Sequence, residues 1–139
     1  MTIAQQQKSI LDELGLFGDW TERYEYVISL GKSLPAISPE KKTADYLIKG
    51  CQSQVWLDAQ LDKGKIQYFA DSDSTIVKGL IALFVRVFND QPIDDILQAE
   101  IDFIDEIGLK DHLAPTRANA LGLMINQMKR QALELSGKN

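Results

Sequence analysis

The residue best suited to chemistry in this sequence is its single cysteine, Cys51, which follows Gly50 and precedes Gln52, Ser53 and Gln54. Glycine adopts backbone torsions that are closed to other residues, so the cysteine is expected at the tip of a tight connection. Polar side chains and unpaired backbone N–H groups can stabilise a thiolate. The run therefore favours a reactive thiol. The competing interpretation is that Cys51 is simply a small apolar residue buried in the core.

The only histidine, His112, is the one side chain that could serve Cys51 as a base in a cysteine–histidine pair. Its neighbours Leu113 and Pro115 are typical of a loop packed on the core, and no further residue pattern identifies a triad. One cysteine also excludes an internal disulfide, and one cysteine with one histidine falls short of the four ligands of a structural zinc site. A loop histidine with a local hydrogen bond is the favoured interpretation.

A polar cluster of Asp71, Ser72, Asp73 and Ser74 lies before a long apolar segment. Alternating carboxylates could ligate a metal, but the glycine and glutamate positions of a calcium loop are not matched. Aspartate and serine are preferred helix-capping residues, so we interpret the cluster as a strand exit and helix cap.

Arg117 is predicted in the first turn of the last helix, where the helix dipole disfavours a cation. This mismatch indicates a specific anionic partner, such as a carboxylate or a thiolate, with a chance surface position as the alternative.

Composition points to one ordinary folded domain. The chain has 139 residues, with 15 Lys and Arg against 20 Asp and Glu, a formal charge of −5. That balance argues against nucleic acid, which requires a basic surface. The N-terminal segment lacks the layout of a signal peptide, and no run approaches the roughly 18 apolar residues of a membrane span. We expect a cytoplasmic protein without a membrane partner.

Periodicity predicts an α+β fold over a single domain, residues 1–139. Helices are expected near residues 10–17, after the cap Asp19 as far as Gly31, and over the short runs 92–97 and 102–107. The segment 71–88, which opens with capping Asp and Ser residues and is ended by Asn89 and Pro92, is expected to form a central buried helix. Residues 35–44 and 112–116 are predicted loops. Thr116 or the residue before it is expected to cap a long C-terminal amphipathic helix.

The middle of the chain alternates with the period of a strand. Residues 53–61 and 66–70 predict a hairpin around a turn at 62–65, and residues 46–49 are predicted as the third strand of a small, mostly antiparallel sheet. Val55, Leu57, Ala59 and Leu61 are assigned to one face; Trp56 and Asp58 fall on the other.

Residues 50–56, Gly-Cys-Gln-Ser-Gln-Val-Trp, resemble the signature of the SufE family of sulfur acceptors, including its CsdE branch. Three more segments fit the family in order and extend the resemblance over residues 19–130. They are Trp20 with Arg23-Tyr24 and Leu30-Gly31; residues 71–73 with 76–80; and residues 112–117 with Asn119 and Gly122. The departures are Thr116, where the family usually has serine, and Lys42, at a variable loop position.

The resemblance implies a fold shared with iron–sulfur scaffold proteins and a role for Cys51 as persulfide acceptor. The implied partners are a PLP-dependent cysteine desulfurase, which the protein would stimulate, and an iron–sulfur scaffold protein; no cofactor or metal of its own is implied. Two alternatives stay open: a cysteine enzyme using Cys51 and His112, and a scaffold that binds a cluster directly, which with one cysteine would require a homodimer.

Two expectations concern the site itself. The apolar runs 46–48 and 55–57 on either side of Cys51 predict that the isolated protein shields the thiol and that a partner exposes it. Arg117 and residues 71–73 are expected near Cys51, because all three motifs lie at junctions between elements, where functional loops gather.

Overall fold

The computed structural model, which describes residues 1–137, contains six α-helices and a three-stranded antiparallel sheet. The predicted α+β class is confirmed; Lys138 and Asn139, the end of the predicted domain 1–139, lie outside the described residues. The elements are α1 (Ile3–Leu14), α2 (Trp20–Gly31), β1 (Val55–Asp62), β2 (Lys65–Ser72), α3 (Thr75–Phe88), β3 (Gln91–Pro92), α4 (Ile93–Gln98), α5 (Phe103–Ile107) and α6 (Pro115–Leu135).

Helix α3 is the predicted central buried helix, and its N-terminus is fixed by Ser74, whose hydroxyl accepts the N–H of Val77. Helix α2, which begins after its cap Asp19 as predicted, crosses α3 at Gly79. A β-carbon at Gly79 would overlap the carbonyl oxygen of Val27, so the two backbones pack directly against each other. This close contact fixes the position of α3, whose first turn borders the connection that carries Cys51.

The predicted hairpin is confirmed: β1 and β2 pair in register from Val55–Ser72 to the turn that follows Asp62. Two side chains depart from the predicted alternation. Leu61 is 47% exposed because the hairpin end projects beyond the core, whereas Asp58 is only 8% exposed. Asp58 is covered by Lys41, whose ammonium lies 2.8 Å from its carboxylate, so the loop before β1 folds over the outer face of the sheet.

The prediction of the third strand is wrong. Residues 46–49 make one isolated bridge, Leu47 with Trp56, and the N–H of Ile48 donates to the carbonyl of Val55 at 2.9 Å. The third strand is β3, which pairs antiparallel with the start of β2. A run of four apolar or β-prone residues can bury one side chain, here Ile48, without forming a ladder, and its pattern cannot distinguish the two cases.

Helix α6 begins one or two residues earlier than predicted, depending on which of the two predicted caps is taken. Its cap is Ala114, with Pro115 as the first helical residue, so neither Thr116 nor Pro115 is the cap. Proline suits the first helical position because no intrahelical partner awaits its missing N–H. Two bonds hold α6 against the hairpin: Tyr68 Oη donates to the Met128 carbonyl at 2.7 Å, and Gln131 Nε2 to the Leu57 carbonyl at 3.0 Å. Across residues 1–137, every helix is too short or too polar to cross a membrane.

Candidate functional site

Cys51 lies in the short connection that leads into β1, one residue after a tight turn. Gly50 has φ +90°, in the region that glycine alone adopts readily, so the turn requires this residue. The cysteine is half-buried and packs against the edge of the hydrophobic core. The hydrogen bond between Ile48 and Val55 closes the base of the connection. We call residues 49–54 the Cys51 loop.

A pocket of about 400 Å³ opens in front of the thiol. The Cys51 loop forms one wall with Cys51, Gln52 and Ser53. The other walls come from the first turns of two helices and the turn that follows in α6: Val77 of α3, and Ala114, Thr116, Arg117 and Ala120 at the start of α6. Arg117 and Cys51 therefore line the same pocket, which agrees with the expectation that they lie near each other.

The pocket faces two helix N-termini, where the helix dipole places partial positive charge. Val77 is in the first turn of α3, and the cap position of α6 holds Ala114, whose methyl side chain cannot accept a hydrogen bond. Arg117 is exposed, and among residues 1–137 its side chain has no ion pair or hydrogen bond. Its charge is therefore available to an anion in the pocket.

Burial nevertheless raises the pKa of the Cys51 thiol above the ordinary cysteine value. Loss of hydration disfavours the charged thiolate and sets the direction of this shift.

The two aspartates before α3 have different partners. Asp73 accepts the N–H of Gln54 at 3.0 Å and so contacts the Cys51 loop. Asp71 instead contacts Lys42 at 2.8 Å and Lys78 at 3.3 Å. Burial pushes the pKa of Asp71 upward, but hydrogen bonds from Lys42, the Ser72 N–H and Lys78 outweigh it and hold that pKa below its usual value. Of these two aspartates, only Asp73 is hydrogen-bonded to the Cys51 loop within residues 1–137.

His112 lies outside the Cys51 pocket. Its ring stacks on Trp20, with centroids 4.0 Å apart and planes inclined by 19°, and the Arg23 guanidinium lies 4.9 Å from the same indole. A histidine in this stack is not placed as a base for Cys51. Within the described chain, no three His, Cys, Asp or Glu side chains converge as a metal site would require.

Sequence reasoning missed several residues around the thiol. Ala120 follows Arg117 by three positions on α6, so helical spacing could have placed it on the same face. Val77, which lines the pocket, and Leu123, whose side chain lies next to Gly50, had no such signal, because their positions depend on how α3 and α6 pack.

Comparison with known proteins gives a consistent result. A family model described as SufE, Fe-S metabolism associated domain, matches residues 8–132. An uncharacterized SufE-like protein of Rhizobium meliloti is 34% identical over 128 residues, covering 88% of this chain and 91% of the relative. One from Rhizobium etli has the same identity, covering 88% and 86%. A hypothetical protein from Thermus thermophilus, solved in solution, superposes with a TM-score of 0.77 at 16% identity, over 93% of this chain and 94% of the other, and shares the fold.

Proposed function

Since the chain belongs to the SufE family of Fe-S metabolism associated domains, we propose that Cys51 accepts sulfane sulfur from a PLP-dependent cysteine desulfurase and delivers it to an iron–sulfur scaffold protein. The observation that supports this most strongly is the position of the only thiol, in a pocket of about 400 Å³ edged by Arg117 and two helix N-termini. The protein then acts as a carrier and as an activator of the desulfurase, and the partner performs the catalysis.

The transfer balances without an added oxidant or reductant. The Cys51 thiolate attacks the outer sulfur of the donor's persulfide, the bond between the two donor sulfurs breaks, and the donor cysteine leaves as a thiolate. That thiolate takes up the proton that Cys51 released, so a thiol and a persulfide exchange places. The rate of such exchange depends on the attacking thiolate and on access to it.

The charge around the pocket suits the product. A persulfide on Cys51 is an anion when deprotonated, and both the Arg117 guanidinium and the uncapped first turn of α6 attract negative charge. Removing the desulfurase's persulfide frees its cysteine for another cycle, which is how the carrier would raise turnover.

The raised pKa and half-buried position of Cys51 suit a thiol that stays inactive until its partner docks. An exposed persulfide would lose its sulfur to reductants or oxidise further. Because the chain has one cysteine, no second internal thiol can displace the bound sulfur by forming a disulfide.

The alternative of a cysteine enzyme receives no comparable support. A Cys51–His112 pair needs the two side chains within hydrogen-bond reach. His112 instead stacks on Trp20.

Desulfurase turnover tests the proposal. Alanine formation from cysteine by a cysteine desulfurase should rise when the protein is added, and Cys51→Ser protein should give no rise while keeping the wild-type circular dichroism spectrum. Full stimulation by the serine variant would refute a carrier role for Cys51.

A further inference from the structure

Beneath the Cys51 loop, helix α6 presents a leucine that the proposed function does not use. A β-carbon at Gly50 would lie 3.2 Å from Leu123 Cδ1 and 3.8 Å from Leu123 Cδ2. The side of Gly50 on which a β-carbon would project therefore faces Leu123, although the residue as a whole is exposed to solvent. Leu123 is half-buried and packs against the core. An apolar side chain therefore lies next to the loop, one residue before the thiol.

Open space flanks this contact on both sides. The Cys51 pocket borders the earlier turns of α6, as far as Ala120. A second pocket of about 290 Å³ borders the later turns and is lined by Leu123 itself. Its other walls come from the segment before Gly50, including Ile48 and Lys49, and from the later part of α6, including Arg130. The loop is therefore supported between two cavities.

The base of the loop is fixed while its tip is less constrained. Ile48 and Val55 are both buried and are joined by a backbone hydrogen bond of 2.9 Å. A change at the tip can therefore occur without displacing these core side chains. The flanking cavities provide the volume for it.

We propose that Leu123 is a positioning residue that holds Cys51 in its half-buried place through its contact with Gly50. Loss of the contact lets the loop tip move and exposes the thiol. The consequence for sulfur transfer rests on the proposed function, but the positional role concerns the isolated protein and can be measured without a desulfurase.

Iodoacetamide alkylation of Cys51 in the native protein at one fixed pH tests this role. Leu123→Ala should speed alkylation by about tenfold, because losing the packing of a few carbon atoms of a half-buried side chain corresponds to roughly that factor in an equilibrium. The matched control is Ile125→Ala, a half-buried residue of the same helix that lines neither pocket and should leave the rate unchanged. A wild-type rate for Leu123→Ala, or equal acceleration by both variants, would overturn the proposal.

A double-mutant cycle separates positioning from general loosening of the fold. Gly50→Ala adds backbone strain and crowds Leu123, so it should also speed alkylation. In the Leu123→Ala background the same change should have a smaller effect, because the crowded side chain is gone. If the acceleration in the double variant equals the product of the accelerations in the two single variants, the two residues act independently and the inference is contradicted. Faster alkylation of Leu123→Ala together with a wild-type protein that takes no sulfur from a desulfurase would instead refute the proposed function and leave the positioning role standing.

Discussion

Gln54 and Asp73 exchange two hydrogen bonds. Asp73 Oδ1 accepts the Gln54 N–H at 3.0 Å, and the Asp73 N–H donates to the Gln54 carbonyl at 3.3 Å. The hydroxyl of Ser72 donates to the same carbonyl at 2.7 Å. The residue three positions after Cys51 is thereby tied to the turn that precedes α3, and the Cys51 loop is held at this end by polar contacts.

Asp73→Ala should loosen the Cys51 loop. It removes the side-chain acceptor of one exposed hydrogen bond, a loss of about 1 kcal/mol, so alkylation of Cys51 should accelerate by roughly fivefold. Asp12→Ala, at an exposed aspartate of α1, is the control and should match wild type. Unchanged alkylation of Asp73→Ala would mean that this bond does not restrain the thiol.

Arg117→Ala should separate function from stability. Arg117 is exposed and has no side-chain partner within residues 1–137, so the free energy of unfolding should change by less than about 0.5 kcal/mol. Single-turnover sulfur transfer from a persulfidated desulfurase should slow by about tenfold, because a charge-assisted interaction with the persulfide is lost. Arg130→Ala, on the same helix but outside the Cys51 pocket, should transfer at the wild-type rate. Equal rates for all three proteins would exclude a role for Arg117.

The pH dependence of Cys51 should reflect its burial. The native alkylation rate should keep rising with pH beyond the midpoint of the urea-unfolded chain, where the thiol has its ordinary pKa of about 8.5. A native midpoint at or below the unfolded one would contradict the burial argument.

The same shift affects stability. Because folding raises this pKa, the stabilisation from the protonated thiol is complete below the unfolded value and is lost as pH rises through the folded one. The free energy of unfolding of the wild type, measured in urea relative to that of Cys51→Ser, should therefore be higher at neutral than at alkaline pH. A difference that does not change with pH would contradict the linkage.

Two glycines should respond in opposite directions to alanine. Gly79→Ala forces a β-carbon into the Val27 carbonyl oxygen and should cost about 3 kcal/mol of unfolding free energy. Gly122 lies within α6, and a β-carbon there would meet no atom within 4 Å. Gly122→Ala should therefore stabilise by roughly 0.5–1 kcal/mol through helix propensity. Urea unfolding measures both changes, and a tolerated Gly79→Ala would refute the close contact between α2 and α3.

Local signals were sufficient for much of the fold. Three features could be predicted because each depends only on residues close in sequence. They are the helix cap Asp19, the strand alternation through Val55 and Leu57, and the apolar run of α3. The third strand could not be found in this way. β3 has two residues, one of them Pro92, and it pairs with Lys65 and Ile66 only because the chain returns there after α3.

The identity of the main site residues could be predicted from the sequence, but their packing could not. Cys51 and Gly50 stood out from their types, and Arg117 from its unfavourable place in a helix. The burial that raises the pKa of Cys51, and the proximity of Leu123 to Gly50, depend on how elements distant in sequence pack around the loop. Such long-range contacts leave no local pattern.

The central claim, that Cys51 carries sulfur, is tested most directly by top-down mass spectrometry after incubation with cysteine and a cysteine desulfurase. The account predicts a mass gain of one or more sulfur atoms, located by fragmentation on Cys51, removed by reductant and missing from Cys51→Ser. No gain in the presence of an active desulfurase, or an equal gain in the serine variant, would contradict it.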